Sequence, residues 1–220
     1  MSILLLVRHG QASWASQDYD RLSPLGEQQS RLLGAALSAR GVRPDLLVRG
    51  SMLRHRQTAA AAVAAAGWDG DVVQDAGWDE FDHVRTVTGS IDFPEIPGES
   101  YDERVSRFDA TIDRWASGSH DADYHESFPV FRDRVGEAFR RTLERLEPKQ
   151  TAVVFTSGGP VSWVAATLAD GGVPAWSRLS KVVVNSSVTK VLDGRRGTSL
   201  ISFNDHSHLE AAGTDLLSYR

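Results

Sequence analysis

The chain has 220 residues, of which 24 are Lys or Arg and 29 Asp or Glu, giving a formal charge of −5 with neutral histidines, and it contains no cysteine. A chain of this length buries roughly 70% of the surface its unfolded form exposes, so one domain with a sizeable core is expected without disulfide or metal staples. Zero cysteines exclude disulfides, thiolate metal sites, iron–sulfur clusters and cysteine nucleophiles, and the acidic balance argues against nucleic-acid binding through clustered basic residues.

The opening, Met1 to Val7, has no basic n-region and its apolar run stops at Arg8. That is too short for a secretory signal or a membrane span, and the alanine-rich stretch 59–66 is likewise far below spanning length. A cytoplasmic protein with no membrane partner is expected. Residues 3–7 read as a buried strand. A helix follows, with Ser23 as N-cap, Pro24 at its first position, Leu25, Leu32, Leu33, Ala36 and Leu37 at helical spacing, and Gly41 closing it. Residues 46–48 form a second strand, ending at Gly50-Ser51 before a helix over 53–66, and Val72-Val73 is a weaker third.

The stretch from about 79 to 125, with Pro94, Pro97 and the polar run 117–123, reads as an insertion over the main sheet that carries a helix over 101–115. A helix over 128–146 comes next. After Pro148 the alternation resumes with a strand over 152–155, a turn over 156–159 and a helix over 160–168. Strands over 181–184, 188–192 and 199–203 surround a turn at Asp193-Gly194. No linker divides the chain. Alternating strands and helices predict a single α/β domain, its central, mostly parallel sheet covered by helices on both faces. In such sheets the ligand crevice lies beyond the carboxyl ends of the strands.

Three strand ends carry unusual chemistry: Arg8-His9-Gly10, the segment Gly50 to Arg54, and Thr156-Ser157-Gly158-Gly159. A histidine at a strand end suits attack on phosphorus, because a neutral imidazole is nucleophilic near pH 7 once one ring nitrogen is held by a hydrogen bond. Gly10 lets the backbone turn sharply beside the ligand. Arg8 offers a planar fork of donors to phosphate oxygens. Gln11 and Ser13 follow the nucleophile and are further candidates for phosphate contact.

Arg8-His9-Gly10-Gln11, followed by Leu22-Ser23-Pro24-Leu25-Gly26-Glu27-Gln28, resembles the opening of the histidine phosphatase superfamily, the phosphoglycerate-mutase-like proteins. The run Gly50-Ser51-Met52-Leu53-Arg54-His55-Arg56-Gln57-Thr58-Ala59 resembles that family's second arginine block. The resemblance implies a phosphoglycerate-mutase-like α/β fold, a phosphohistidine on His9, and no metal or cofactor. Its R-x-x-Q-T pattern selects Arg54 for phosphate; Arg56, two residues on, projects in roughly the opposite direction and reads as a solvated charge. The family's general acid is a glutamate in the place of Glu80, with Asp79 and Asp82 as the other carboxylates in reach. Glu80 is followed by Phe81-Asp82-His83 rather than the mutase pattern Glu-Arg-x-Tyr-Gly, which favours a phosphatase over a glycolytic mutase.

The sequence departs from the family at Ser157, where the superfamily places a second histidine. A serine hydroxyl can donate one hydrogen bond to a phosphoryl oxygen, and the amides of Gly158 and the helix start can add more. Losing a charged donor costs about 10²–10³-fold in turnover, so a slow enzyme is expected, and a histidine restored at 157 is expected to gain roughly ten-fold. The leading reading is hydrolysis of a small phosphate monoester; the alternative is a phosphate-binding module with little or no turnover. A third reading, a serine hydrolase using Ser157, Asp193 and His206 or His208, has Phe155 where the nucleophile elbow needs glycine. The pair His206-x-His208 lacks a third metal ligand in the sequence.

Overall fold

The computed structural model describes residues 1–13, 20–81 and 96–219. Within these, β1 (Ser2–Arg8), α1 (Pro24–Ala39), β2 (Leu46–Arg49), α2 (Leu53–Ala66) and β3 (Val72–Gln74) lead to a 3-10 turn at Ala76–Trp78. Then come α3 (Tyr101–Ala116), α4 (Phe128–Glu144), β4 (Thr151–Thr156), α5 (Gly158–Leu168), α6 (Gly172–Ser180), β5 (Val188–Gly194), β6 (Gly197–Asp205) and the short α7 (Ser207–Glu210). The strands form one six-stranded sheet in the order β3-β2-β4-β1-β5-β6. The first four run parallel, and β5 and β6 are antiparallel additions. This is the mostly parallel α/β sheet that the alternating pattern predicts.

The inner strands are apolar along their whole length because both faces are covered. In β1 the side chains alternate: Leu4 and Leu6 face a core with Trp78, Trp115, Phe128, Phe131 and Trp176, while Leu5 and Val7 face one with Leu33, Leu37, Ala59 and Ala62. Each fully buried large side chain contributes roughly 1.5–3 kcal/mol, so these two layers carry most of the stabilisation. The alanines of α2 let α1 come to backbone contact: a Cβ on Gly34 would lie 2.1 Å from the Ala62 carbonyl oxygen. Ser23 caps α1 as expected, its hydroxyl accepting from the Gly26 N–H at 3.0 Å with Pro24 following.

Two expectations for the C-terminal half change. Residues 181–184 are not a strand; they follow the unanticipated helix α6, which buries Trp176. The three valines mimic a strand, but side chains rather than a neighbouring strand satisfy their backbone. Asn204 accepts from the Val184 N–H and donates to the Val182 carbonyl, each at 2.8 Å, and the Arg8 guanidinium donates to the Val183 carbonyl. The β5–β6 turn is Arg195-Arg196 and not Asp193-Gly194, since Gly194 still pairs with Gly197. In the middle stretch, α3 sends Ile112 and Trp115 into the same core as Phe128 and Phe131, and a Ser100–Glu103 capping box starts it. Asp82, His83 and the rest of 82–95 lie outside the described residues.

Candidate active site

The parallel register sets the site. Arg8 pairs with Thr156, Arg49 with Phe155, and Gln74 with Arg49, so β1, β4, β2 and β3 all end on one rim. The residues just after those ends are His9, Ser157, the start of α2, and the segment leading to Glu80.

His9 is 7% exposed. Its Nδ1 lies 2.7 Å from the Gly10 carbonyl oxygen, which can only accept, so Nδ1 carries the proton. Its Nε2 receives the Arg54 Nε–H at 3.2 Å, so Nε2 carries the lone pair. Two independent contacts fix one tautomer. Burial, followed by the charges of Arg54 and Arg8 and the neighbouring His55, holds the imidazole well below the ordinary histidine pKa. The ring is neutral, oriented and nucleophilic at Nε2.

Arg54 is clamped from its other end by Asp20, whose Oδ1 lies 2.7 Å from Nη1. Asp20 also takes the Leu53 N–H at 2.7 Å and so supplies the helix cap that Met52 cannot. Arg56 is exposed. The Arg8 guanidinium donates to the Val183 and Tyr219 carbonyls and lies against Gly158. Gln11 fastens its loop: its N–H donates to Gln29 at 2.8 Å and its Oε1 accepts from the Ser23 hydroxyl at 2.8 Å. Ser13 bonds through its backbone N–H to the Arg21 carbonyl at 2.8 Å.

Two adjacent carboxylates follow the 3-10 turn, and their environments push them apart. Burial raises the Glu80 pKa, against the Gly159 N–H at 3.0 Å and the charges of Arg54 and Arg8. Burial also acts upward on Asp79, but its contacts with His55 and Ser51 outweigh it and hold that carboxyl below its ordinary value. A raised group beside a lowered one is the pattern expected of an acid paired with an ionised neighbour, and Glu80 is the raised member. Arg134 fixes the loop that carries both, donating to the Gly77 and Asp79 carbonyls at 3.0 and 2.8 Å while paired with Glu126 at 2.7 Å.

The profile of the histidine phosphatase superfamily (branch 1) matches residues 4–206. The chain belongs to that superfamily. A 2,3-bisphosphoglycerate-dependent phosphoglycerate mutase of Thermobifida fusca (strain YX) is 38% identical over 74 residues, covering 30% of this chain and 30% of the mutase. The match thus spans less than a third of that relative. Among solved structures, YhfR of Bacillus stearothermophilus aligns at TM-score 0.71 and 22% identity over 95% of this chain and 100% of that one. A phosphoserine phosphatase mutant of Entamoeba histolytica, in complex with phosphoserine, aligns at 0.69 and 19% over 95% and 100%. A mycobacterial glucosyl-3-phosphoglycerate phosphatase aligns at 0.65 and 20% over 92% and 98%. At these identities the likeness speaks for the histidine phosphatase fold alone.

In this superfamily member the structure brings Arg8, His9, Arg54, Glu80, Ser157 and Gly158 to one rim. It also adds His55, which no sequence motif singles out: its Nε2 lies 2.7 Å from the Ser157 hydroxyl, and its ring centroid is 5.7 Å from that of His9. A signal for it does exist in the chain, because consecutive helical residues point about 100° apart and a residue next to Arg54 faces the neighbouring strand end. The serine-hydrolase partners read from the sequence, Asp193 with His206 or His208, are bonded to other groups and not to Ser157. Asp193 accepts from the Thr198 hydroxyl at 2.6 Å, His208 meets Ser186 at 3.2 Å, and His206 meets the Asn204 carbonyl at 2.6 Å. Among the described residues no cluster of three metal-ligand side chains occurs, and no helix is long and apolar enough to cross a membrane.

Two expected results follow from this packing. A Cβ on Gly159 would lie 2.1 Å from Glu80 Oε1, the movable end of a side chain. Gly159→Ala is therefore expected to melt within a few degrees of wild type yet, if Glu80 serves as general acid, to lose on the order of 10²-fold in hydrolysing an alkyl phosphate, because the Glu80 carboxyl is displaced. Parallel melting and rate measurements check this, and an unchanged rate contradicts it. The second concerns acid stability. Burial first of all lowers the pKa of His9, His55 and His208, the last to about 4, against 6.5 in the unfolded chain. The unfolded state binds more protons as pH falls below about 6.5, so these histidines favour the fold fully above that pH and progressively less below it, His208 down to about 4. Each contributes a slope of at most about 1.4 kcal/mol per pH unit. The urea midpoint should drop between pH 7.5 and 5; a constant midpoint excludes the effect.

Proposed function

We propose that this protein hydrolyses a small phosphate monoester through a phosphohistidine on His9. The single observation that carries the reading is the fixed His9 tautomer, with Nδ1–H bound to Gly10 and the Nε2 lone pair beside Arg54. Nε2 attacks phosphorus, the bond from phosphorus to the alcohol oxygen breaks, and Glu80 gives that oxygen its proton. The Glu80 carboxylate then takes a proton from water, the hydroxide oxygen bonds to phosphorus, and His9 leaves with inorganic phosphate as product. Arg8 and Arg54 supply the positive charge that the transferring group needs, so the proposed reaction calls on no metal or cofactor. Ser157, the Gly158 amide, Gln11 and Ser13 complete the phosphate contacts.

Support for the substrate class comes from relatives whose ligands or names specify phosphoserine and glucosyl-3-phosphoglycerate. Small phosphorylated metabolites of this kind suit a cytoplasmic enzyme. Turnover is favoured over mere binding because an acid with a raised pKa stands beside the phosphate arginines, and a binding module has no use for one. A panel of phosphorylated metabolites, with free phosphate as readout, tests the reading. Release from none of them, with anion binding retained, would establish the binding module instead.

A further inference from the structure

Ser157 and His55 are fully buried, and Asp79 closes the far side of the imidazole. His55 Nε2 is within hydrogen-bond range of Ser157 Oγ at 2.7 Å, whereas Nδ1 stands 3.6 Å from Asp79 Oδ1, beyond a normal hydrogen bond. Nδ1 is buried and has no hydrogen-bond partner among the described residues. Glycine at position 50 leaves this approach open, since a Cβ there would lie 2.2 Å from His55 Nδ1 and 2.5 Å from Asp79 Oδ1. A ring nitrogen facing a carboxylate carries its proton there. Nε2 is then an acceptor, and the Ser157 hydroxyl spends its one hydrogen on His55 rather than on a phosphate.

We propose that His55 is the positioning residue of the phosphate site: when a doubly negative phosphoryl group arrives, His55 takes up a proton, turns from acceptor to donor toward Ser157, and releases the Ser157 hydroxyl hydrogen to a phosphoryl oxygen. The proposal deepens the phosphatase reading and rests on its placing phosphate at this rim. The proton comes from solvent and binds Nε2; the Ser157 hydrogen only rotates, and no bond to the substrate forms or breaks. The imidazolium then faces Asp79, which can close to a full hydrogen bond, and the charge of Asp20 assists it. Burial and Arg54 oppose it, and without a phosphoryl group they keep His55 neutral. The incoming dianion tips that balance. A neutral serine thereby delivers a positive charge to the phosphate at second hand.

The test uses sulfate, a tetrahedral dianion that does not titrate near neutrality, in the Glu80→Gln background so that the acid's own proton is not counted. Calorimetry in buffers of different ionisation enthalpy reads the protons taken up per sulfate bound at pH 7. We expect uptake that falls sharply in His55→Gln, which keeps a polar group of similar reach but cannot be charged, and likewise in Asp79→Asn. With Glu80 intact and an aryl phosphate, His55→Gln should lower kcat about ten-fold with little change in KM and remove the alkaline limb of the rate profile. Ser157→Ala added to it should cost no more, since both act through one hydroxyl. Equal uptake with and without His55, additive losses, or no sulfate binding at all overturns the proposal. So does an acid-stable adduct on Ser157, which would make His55 the base of a serine nucleophile. A protein that hydrolyses nothing yet shows the His55-dependent uptake keeps the relay and loses only the phosphatase reading.

Discussion

Replacing His9 with alanine is expected to lower hydrolysis at least about 10⁴-fold and to eliminate the phosphoenzyme, because loss of a nucleophile is not compensated by the residues around it. The argument is local. The ring is neutral by burial and by the Arg54 and Arg8 charges, one nitrogen is committed to Gly10, and the other has its lone pair directed at Arg54. The other imidazole at the rim, His55, has its Nε2 engaged with the Ser157 hydroxyl at 2.7 Å. The Arg54–Asp20 clamp does not depend on His9, so the variant should still bind inorganic phosphate. Wild type given a labelled phosphodonor for a short time should yield an acid-labile, base-stable adduct that His9→Ala lacks. An unchanged hydrolysis rate in His9→Ala would falsify the mechanism.

Much of this arrangement is legible in the amino-acid sequence because it follows from chain-local rules. Short apolar runs ended by polar residues mark parallel strands, and parallel strands deliver their following residues to one rim; that places His9, Arg54 and Ser157 together. The residues that escape such rules act across long separations or between turns of a helix. Asp20 lies in an aperiodic loop, and its caps on Leu53 and Arg54 leave no local trace. Asn204 satisfies the backbone at 182 and 184 from about twenty residues away, which is why three valines look like a strand and are not one. Gln29 ties the Gln11 amide to Leu216 and Ser218, again without a local signal.

Position 157 shows the same limit with a consequence for design. From the sequence, Ser157 is a lost histidine, and restoring it is a simple gain. In the fold, Ser157 has no exposed surface and its hydroxyl is 2.7 Å from His55. An imidazole at 157 has to enter space that His55 already fills, and overpacking a closed site typically costs about 1–3 kcal/mol. The ten-fold gain expected of Ser157→His alone therefore does not stand. The chain already carries an imidazole at this corner, on α2 rather than at the end of β4.

Glu80→Gln separates the two chemical steps by leaving group. Protonation matters only when the departing oxygen is a poor leaving group, so with an alkyl phosphate the variant should lose on the order of 10²–10⁴-fold. With an activated aryl phosphate, whose phenolate leaves unaided, the loss of the first step should be far smaller. Glutamine keeps an oxygen for the Gly159 N–H, so the geometry at α5 should persist and the difference reports the proton. The pH profile gives a second readout. Burial raises the Glu80 pKa, so the protonated acid persists to higher pH than an exposed carboxyl allows, and wild-type activity on the alkyl substrate should decline as pH rises through that raised value. In Glu80→Gln the part of that limb set by Glu80 should vanish, leaving the limb that His55 sets on both substrates. Equal losses on both substrates, with the limb unchanged, would assign the proton to another group, and Asp79 would not be the replacement, because its contacts with His55 and Ser51 keep it ionised.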